Sequence, residues 1–287
     1  MAKVSVVIVN YNSTKLLNKL IQSSKKIGNI IQEVIIVDNN SQDLYLIKNL
    51  TSDNKKTKII KNEKNFGFAK AVNQGTKIAK SKYILLLNPD TKIIDKSIEN
   101  TLTKIINDPK IAAIGGRIKK ANANSYQFTA NSNISFVTAL FEFTILKKLF
   151  PTNKHSKEFW IENKITKKTT NVFGLCGAYI IFRKHINGEL NTFDENYFLY
   201  LEDLDFCIKL RKLGYKVMFD PTSKIEHIGG ASSNSKYNIK LKYWYKSRKY
   251  LFIKHLGPIK GIILAIIFSI EEILLKTYHI LKNEPSD

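Results

Sequence analysis

Short, unbroken runs of apolar residues alternate with amphipathic segments from the N-terminus to Gly115. The runs are rich in Val, Ile and Leu and are bounded by polar segments, so they predict strands. Unbroken apolar strands separated by helices are typical of an α/β fold, with a mostly parallel sheet that helices cover on both faces. The predicted strands are Val4–Val9, Glu33–Val37, Thr57–Ile60, Tyr83–Leu87 and Ile111–Gly115, and the predicted helices are 13–25, Leu44–Leu50, Phe68–Lys80 and Asp95–Asn107.

The second half of the chain has a weaker pattern. Residues 117–170 are polar around one apolar segment, and we interpret them as an insertion or an elaborated loop region. A strand is predicted at Cys176–Phe182, followed by a helix that ends with Gly214 as its left-handed cap. A further strand is predicted at Tyr215–Phe219, stopped by Pro221.

An apolar run near the C-terminus, Ile259–Ile270, is interrupted by Glu271 and Glu272. The run is shorter than the roughly 20 apolar residues that a membrane-spanning helix needs. A helix packed on the domain or on a partner chain, and a basic helix lying on the inner face of a membrane, both remain open. Because a strand begins already at Val4, we expect no signal peptide and a cytoplasmic protein, with peripheral membrane contact as an option.

The chain is strongly basic: 46 Lys and Arg against 24 Asp and Glu give a net charge of +22. Such a charge favours anionic partners, which include nucleotides, nucleic acids and acidic membranes. Only four of these residues are arginines, which weakens the nucleic-acid interpretation because phosphate and base recognition favours Arg.

Polar residues follow three of the predicted strands. Asn10, Tyr11 and Asn12 end the first strand, Asp38 ends the second, and Asn88-Pro-Asp90 ends the fourth. Ligands of open α/β sheets bind beyond the carboxyl ends of the strands. Asn and Asp also cap helices, but three such strand ends in one sheet favour a shared binding site.

The segment Asn65-Phe-Gly67-Phe68 enters a helix through a glycine, which lets backbone N–H groups approach a phosphate. It matches neither the phosphate loop of P-loop NTPases nor the dinucleotide-binding fingerprint, so both classes are disfavoured.

Acidic residues cluster at the start of a later helix, where Glu202, Asp203 and Asp205 lie within four residues. Carboxylates that repel one another acquire raised pKa values and can act as general bases toward a hydroxyl. Downstream, His227 beside Asp90 would complete a mixed oxygen and nitrogen site for a divalent metal.

Taken together, these motifs resemble family 2 glycosyltransferases, and the rhamnosyltransferase-like branch in particular. The resemblance covers roughly residues 3–255. The segments that carry it are Val4–Asn12, Val37–Ser41, Asn65–Phe68 with Asn73 and Gly75, Asn88–Asp90, Glu202-Asp203, and His227 with Gly229, Gly230 and Ser232.

The resemblance implies a GT-A fold with a C-terminal helical extension. Residues 1–116 would form the nucleotide-binding half and 117–255 the acceptor-binding half of one domain, followed by a helical tail at 256–287. It also implies an inverting transferase of the bacterial cell envelope. That enzyme would move a sugar from a nucleotide-sugar donor, such as dTDP-rhamnose, to a hydroxyl of a glycan or lipid-linked precursor.

The family's functional residues carry over by position. Asp38 would bind the nucleobase in a pocket lined by Asn10, Tyr11 and Asn12. Four further residues would lie at or near the nucleotide: Asn65, Gly67, Asn73 and Asn88.

The acidic motifs carry over in the same way. Asp90 would hold Mg²⁺ or Mn²⁺ on the diphosphate, joined by His227. Asn88 replaces the first carboxylate of the Asp-x-Asp motif, which leaves metal dependence open. Asp203 would be the general base, with Glu202 beside it at the donor sugar or the acceptor.

Several alternatives stay open. The donor could instead be UDP-galactose, UDP-galactofuranose, UDP-glucose or a UDP-N-acetylhexosamine. The Gln-x-x-Arg-Trp motif of processive synthases is absent from the sequence, so we expect one sugar per encounter. An inactive binding module and a nucleic-acid-binding protein are rivals; the second leaves the carboxylates unexplained, so no nucleic acid is expected. A homodimer is compatible with the sequence.

Overall fold

The computed structural model describes residues 2–47, 56–121, 123, 125–161, 168–227 and 237–281. The His227-x-Gly-Gly-x-Ser232 motif continues beyond these residues after His227, as does the predicted helix at Leu44–Leu50 after Ile47.

The strands of the described residues are short, and most of those in the first half begin where the sequence predicts them. They are β1 Val4–Asn10, β2 Ile31–Asp38, β3 Thr57–Lys61, β4 Tyr83–Leu87, β5 Thr91–Ile93, β6 Ile111–Lys120, β7 Ala130–Asn131, β8 Thr170–Asn171, β9 Gly174–Leu175, β10 Tyr179–Arg183, β11 His185–Ile186, β12 Glu189–Leu190 and β13 Lys216–His227.

Nine of the described strands form one sheet in the order β3-β2-β1-β4-β10-β6-β13-β5, with β8 beside β13. The four strands β3, β2, β1 and β4 are parallel, as the apolar pattern predicts. The strand β10 runs antiparallel to both β4 and β6, and β6 is parallel to β13. The sheet is therefore mixed beyond β4, and the carboxyl ends of β1, β2 and β4 share one edge.

Helices cover both faces of this sheet. The helices of the described residues are α1 Thr14–Ser24, α2 Phe68–Ile78, α3 Ser97–Asn107, α4 Phe136–Phe143, α5 Leu146–Leu149, α6 Lys154–Phe159, α7 Glu202–Lys212, α8 Tyr237–Leu256 and α9 Pro258–Leu281.

Alternation along the strands divides the core into two layers. Val6 and Ile8 of β1 lie in one apolar cluster with Leu17 of α1, while Val7 lies in the opposite cluster with Val72 of α2. The helix α3 contributes to the first layer and α7 to the second. This arrangement follows from the two-residue period of strand side chains.

Residues 117–170 contain more regular structure than the sequence predicts. The strand β6 continues to Lys120, and β7, α4, α5 and α6 follow it. Ser135 caps α4 by accepting a hydrogen bond from the Thr138 backbone, and Asn153 caps α6 by accepting one from the Ser156 backbone. These elements are too short to give a clear periodic signal.

One predicted element boundary is wrong, and one predicted helix is described only in part. The strand ending at Pro221 continues as β13 to His227, because the register with β6 shifts between Asp220 and Lys224 and the proline falls inside that irregularity. The helix predicted from Leu44 is a 3₁₀ turn over Leu44–Ile47. Asp43 bonds the backbone and hydroxyl of Thr14 and is not available as a helix cap.

The predicted strand Cys176–Phe182 is also wrong at its start. Two strands, β9 and β10, flank a turn at Cys176–Ala178. The backbone N–H of Gly177 donates to Asp203, and the carbonyl of Ala178 accepts from Asn88. The turn's backbone groups therefore contact residues outside the sheet.

The helices α8 and α9 form an antiparallel hairpin about Gly257, which has φ +81°. A Cβ on Gly261 would lie 2.4 Å from the Cα of Ile253, so a glycine is required where the two helices cross. Among the described helices, α9 included, none is both long and apolar enough to cross a bilayer.

Candidate active site

Asn10 and Asp38, at the ends of β1 and β2, form a buried polar group. The amide nitrogen of Asn10 donates to the Asp38 carboxylate (2.8 Å), to the Ser41 hydroxyl (3.0 Å) and to Thr14 (3.1 Å). The other oxygen of Asp38 accepts from the Ser41 backbone at 2.9 Å. Asn10 and Asp38 are fully buried, so these bonds hold the loops at the ends of both strands in register.

Tyr11 and Asn12 continue from this group toward solvent. Asn12 has φ +51°, its backbone N–H donates to Ser41, and its side-chain oxygen accepts from the Gln42 backbone. Tyr11 is 44% exposed at the rim. A buried polar floor with an exposed aromatic ring above it is compatible with a planar, polar ligand such as a nucleobase.

The loop at Asn65–Gly67 lies against this edge of the sheet. The side chain of Asn65 accepts from the Gly67 backbone at 2.9 Å, and Asn39 donates to the Gly67 carbonyl at 3.1 Å. Gly67 has φ +88°, and a Cβ there would lie 2.6 Å from the carbonyl oxygen of Phe198. Only glycine therefore fits between this loop and the segment that leads to α7.

Asn73 lies on α2 and contacts that same segment. Its side-chain oxygen accepts from the Phe193 backbone at 2.8 Å, and its nitrogen donates to the Phe193 carbonyl at 2.9 Å and to Glu195 at 3.0 Å. Asn73 thus holds the segment at Phe193 and Glu195 against α2, and none of these three bonds is to the Asn65–Gly67 loop.

Asp90 and His227 come together from elements far apart in sequence. The antiparallel pairing of β13 with β5 places His227 opposite Thr91, next to Asp90. The Nε2 atom of His227 lies 3.0 Å from the Asp90 carboxylate, although the alignment is not that of a hydrogen bond. The other ring nitrogen, Nδ1, lies 2.7 Å from the side-chain nitrogen of Gln127.

The donor set at this position fits a divalent metal. The side-chain oxygen of Asn88 and Nε2 of His227 are buried without hydrogen-bond partners among the described residues, and Asp90 adds a nearly buried carboxylate. No group of three or more His, Cys, Asp or Glu side chains suited to a metal occurs in the described part of the chain. A third ligand would therefore have to come from another residue type, and the Asn88 amide oxygen would supply it without charge. Ligation by Nε2 requires the ring proton on Nδ1, with the Gln127 amide turned to present its oxygen.

Glu202 and Asp203 begin α7 after two residues with left-handed backbones, Tyr200 (φ +73°) and Leu201 (φ +66°). Asp203 is held by backbone donors, because Gly177 N–H and Leu204 N–H lie 2.7 and 2.8 Å from its two oxygens. One carboxylate oxygen of Glu202 is buried without a partner among the described residues.

The two neighbouring carboxyl groups both have pKa values above their ordinary ones. Burial raises the pKa of Glu202, and the negative charge of Asp203 raises it further. Burial also raises the pKa of Asp203, although the N–H groups of Gly177 and Leu204 oppose that rise. A carboxylate with a raised pKa is a stronger base when it is ionised.

The turn at Gly177–Ala178 connects these carboxylates to the end of β4. Gly177 donates to Asp203, while the carbonyl of Ala178 accepts from the Asn88 backbone at 3.1 Å. Asp203 and the Asn88–Asp90 segment therefore contact adjacent residues of one turn. Asp38 ends β2, which is separated from β4 by β1. The next residue, Asn39, donates to the carbonyl of Gly67, and Gly67 lies against Phe198 in the segment that leads to α7.

Family membership follows from a sequence comparison. A sequence model described as "Glycosyl transferase family 2" matches residues 5–190, more than half of the chain. The chain belongs to glycosyl transferase family 2. The match ends before Glu202, Asp203 and His227, so it does not cover these three residues.

Individual relatives are distant. The N-acetylglucosaminyl-diphospho-decaprenol L-rhamnosyltransferase of Mycobacterium tuberculosis is 25% identical over 145 residues, which are 50% of this chain and 46% of that protein. The chain thus spans about half the length of this relative. An uncharacterized glycosyltransferase of Haemophilus influenzae is 22% identical over 284 residues, 98% of this chain and 81% of its own.

Solved structures share the fold. A crystal structure of GalNAc-T7 with UDP, GalNAc and Mn²⁺ superposes with a TM-score of 0.66 at 18% identity, covering 100% of this chain and 58% of that one. The sheet, the helices on both its faces and the C-terminal helical extension therefore form a GT-A fold, as the motifs imply.

Three residues that contact the candidate site are not predicted from the sequence. The backbone N–H of Gly177 donates to Asp203, and Gln127 contacts His227. The carbonyl of Phe198 accepts a hydrogen bond from the backbone N–H of Phe68, next to Gly67. The run of small residues Cys176-Gly-Ala178 was an available signal of close approach. Gln127 and Phe198 act through tertiary contacts that no local pattern predicts.

Proposed function

We propose that this chain is an inverting, non-processive glycosyltransferase that moves one sugar from a nucleotide-sugar donor to a hydroxyl of a cell-surface glycan or lipid-linked precursor. The observation that carries the proposal is the Gly177–Ala178 turn, which joins the Asp203 carboxylate to the end of β4, where Asn88 and Asp90 lie. A general base on one face of the sugar and a diphosphate site on the other are what a single displacement at a sugar requires.

The nucleotide would lie along the carboxyl ends of β1 and β2, in the half formed by residues 1–116. In this proposal Asp38 and Asn10 form the floor under the nucleobase, and Tyr11 and Asn12 form its rim. The Asn65–Gly67 loop lies near the nucleotide and Asn73 supports the far side. Residues 117–255 would bind the acceptor, with the helical tail beyond.

Asp90, His227 and the neutral oxygen of Asn88 would hold a Mg²⁺ or Mn²⁺ ion. When bound, such an ion neutralises the negative charge that develops on a diphosphate leaving group. Because Asn88 supplies no charge, these residues hold the ion with one carboxylate, and we expect weaker metal affinity than two carboxylates would give.

Asp203 is the proposed general base, with Glu202 beside it at the sugar or the acceptor. The Asp203 carboxylate accepts the proton of the acceptor hydroxyl as that oxygen bonds to the anomeric carbon. The bond from the anomeric carbon to the diphosphate breaks on the opposite face, so the nucleoside diphosphate leaves and the configuration inverts. The N–H groups of Gly177 and Leu204 keep the base in a fixed orientation.

The donor is proposed to be dTDP-rhamnose, on the support of the motifs and the rhamnosyltransferase relative. UDP-galactose, UDP-galactofuranose, UDP-glucose and UDP-N-acetylhexosamines are the alternatives. The nucleobase is the feature that separates these groups first, since Asp38 and Asn10 contact it in this proposal.

Calorimetric titration with dTDP, UDP, GDP and CDP, each with Mn²⁺ and with EDTA, tests the donor and metal parts. One nucleotide should bind best, and Asp90→Ala should weaken its binding only when metal is present. Equal affinity with and without metal, in the wild type and in Asp90→Ala, would contradict the proposed metal site. If none of the four nucleotides binds, the proposed glycosyltransferase function is contradicted.

The variant Asp203→Asn tests the base. It should lower sugar transfer by about 10²–10⁴-fold while nucleoside diphosphate affinity stays nearly constant, because the amide keeps the shape but cannot accept the proton. Asp108→Asn, at a surface acid paired with Lys216, is the matched control and should transfer normally. Retained turnover in Asp203→Asn would assign the base elsewhere, with Glu202→Gln as the next variant.

A further inference from the structure

One face of α9 is apolar and exposed along most of the helix. Its most exposed side chains include Ile259 (77%), Leu274 (64%) and Ile273 (63%). We call this set the apolar stripe; it comprises Ile259, Ile262, Ile266, Ile270, Ile273 and Leu274. At 100° per residue these positions fall within an arc of about 120°.

The opposite face of α9 packs on the protein. Leu264 and Phe268 are fully buried there, and Gly261 lies against α8. The helix is therefore apolar on two opposite faces, only one of which is covered. A soluble helix of this kind normally exposes a polar face, so the apolar stripe needs an apolar partner.

The acidic residues of the hairpin are turned away from the apolar stripe. Glu271 and Glu272 are the only two acids between Tyr237 and Leu281. Glu271 pairs with Arg248 at 2.7 Å and Glu272 with Lys249 at 2.9 Å, both on α8. The two acids that interrupt the apolar run in the sequence thus lie at the contact between the helices.

The charge around the apolar stripe is positive. Exposed lysines lie near both of its ends: Lys260 near its start, and Lys276, which also pairs with Glu272 at 2.9 Å, near its end. Anionic lipid headgroups above an acyl layer match this combination of an apolar strip with lysines at its margins. A second copy of the chain carries the same net charge of +22, and the repulsion between the two copies opposes pairing of two apolar stripes.

We propose that the apolar stripe of α9 docks on the surface of an anionic lipid bilayer, with the helix lying in the plane of the interface. The lysines at its margins contact the headgroups and the isoleucines enter the boundary of the acyl chains.

Docking there would fix the position of the active site relative to the bilayer. On α8, Lys254 and His255 contact Asp205 of α7 at 2.8 and 2.7 Å. Lys254 also contacts Asp194, in the segment before α7, at 2.6 Å. Because α7 begins with Glu202 and Asp203, the hairpin and the proposed base form one connected unit.

Co-sedimentation of the full chain with vesicles tests the proposal. One set of vesicles is phosphatidylcholine alone and the other contains phosphatidylglycerol. The wild type should sediment with the anionic vesicles, less so at high salt, and weakly with phosphatidylcholine. Ile266→Glu with Ile270→Glu should lower binding to anionic vesicles by about tenfold or more, since two apolar side chains no longer enter the bilayer and negative charge is added.

Two further double variants complete the design. Ile266→Gln with Ile270→Gln removes the apolar contacts without adding charge, and should also bind more weakly. Ile78→Gln with Leu213→Gln changes two exposed apolar residues outside the hairpin and should bind like the wild type. Circular dichroism and urea unfolding establish that each variant is folded.

Several outcomes overturn the proposal. One is wild type that does not bind anionic vesicles, and another is binding that the apolar-stripe variants leave unchanged. Equal, salt-independent binding to both vesicle types removes the anionic surface as partner. A wild-type dimer by light scattering that becomes monomeric in Ile266→Glu with Ile270→Glu, without vesicle binding, assigns the apolar stripe to a second copy. No sugar donor is involved, so the result is independent of the proposed transferase activity.

Discussion

The start of α7 concentrates unfavourable local structure in a few residues. Tyr200 and Leu201 have left-handed backbones, each costing about 1–3 kcal/mol for a residue other than glycine. Glu202 and Asp203 follow, buried beside each other with raised pKa values. Such residues persist only where the surroundings stabilise them, and here Gly177 and Leu204 supply backbone donors to Asp203.

The raised pKa values predict an acidic limit to activity. Asp203 must be ionised to accept a proton, and burial raises its pKa above the ordinary value of about 4. We therefore expect kcat/KM to rise with pH through an apparent pKa above that value, one that belongs to the coupled pair. In Glu202→Gln, where a neighbouring negative charge is removed, any remaining activity should have its limit at lower pH. An unchanged rate down to about pH 4 would contradict the assignment.

Gly67 gives a prediction on stability. In Gly67→Ala the new Cβ meets the Phe198 carbonyl and the residue keeps φ +88°, so we expect a loss of about 2–4 kcal/mol in the free energy of unfolding. Gly188→Ala is the matched control, because Gly188 has φ +84° with nothing within 4 Å; it should lose about 1 kcal/mol. Urea unfolding measures both, and equal losses would show that the contact with Phe198 has no energetic role.

At the scale of elements, the C-terminal hairpin is joined to the rest of the chain by polar as well as apolar contacts. Arg248 of α8 is almost fully buried and pairs with Glu271 of α9 at 2.7 Å. It also donates to the carbonyl of Phe143 at the end of α4, and its guanidinium lies over the rings of Tyr245 and Phe268. One side chain thus connects three helices.

Removing that side chain should destabilise the protein strongly. Arg248→Met leaves the Glu271 carboxylate and the Phe143 carbonyl without their partner, and we expect a loss of about 3–5 kcal/mol. Lys249→Met is the control on the next residue, because the Lys249–Glu272 pair is more exposed and should contribute about 0–1 kcal/mol. Chemical unfolding of both variants tests this, and similar losses would mean that burial does not distinguish the two ion pairs.

At the scale of the whole molecule, the net charge of +22 acts against compactness while it favours anionic ligands. Cations far from an anionic partner repel one another, and salt screens that repulsion over about 10 Å at 0.1 M. The same charge would attract a nucleotide-sugar and an anionic bilayer, which are the two partners proposed above.

Screening predicts that Tm rises with NaCl at low ionic strength and neutral pH. The increase should shrink near pH 10, where lysines begin to lose their charge. Thermal unfolding followed by circular dichroism at several salt concentrations tests this. A Tm that does not depend on salt at neutral pH would show that the positive charges are too dispersed, or too well paired, to affect stability.

The sequence determined the elements of the first half and the polar strand ends, because these depend on local periodicity. Tyr83–Leu87 is apolar throughout and Val4–Val9 is apolar except for Ser5, and such runs are typical of strands that are buried on both faces of a sheet. Asn10, Asp38 and Asp90 then follow at the same edge of the sheet as a consequence of parallel pairing.

The tertiary structure alone decided which distant residues meet. The register shift that carries β13 past Pro221 brings His227 to Asp90, and the Gly177 turn brings Asp203 to the end of β4. Tertiary packing also decides that Glu271 and Glu272 face α8, which leaves α9 with an exposed apolar stripe. Local patterns report the period of a segment, whereas these contacts depend on pairing and packing between segments far apart in the chain.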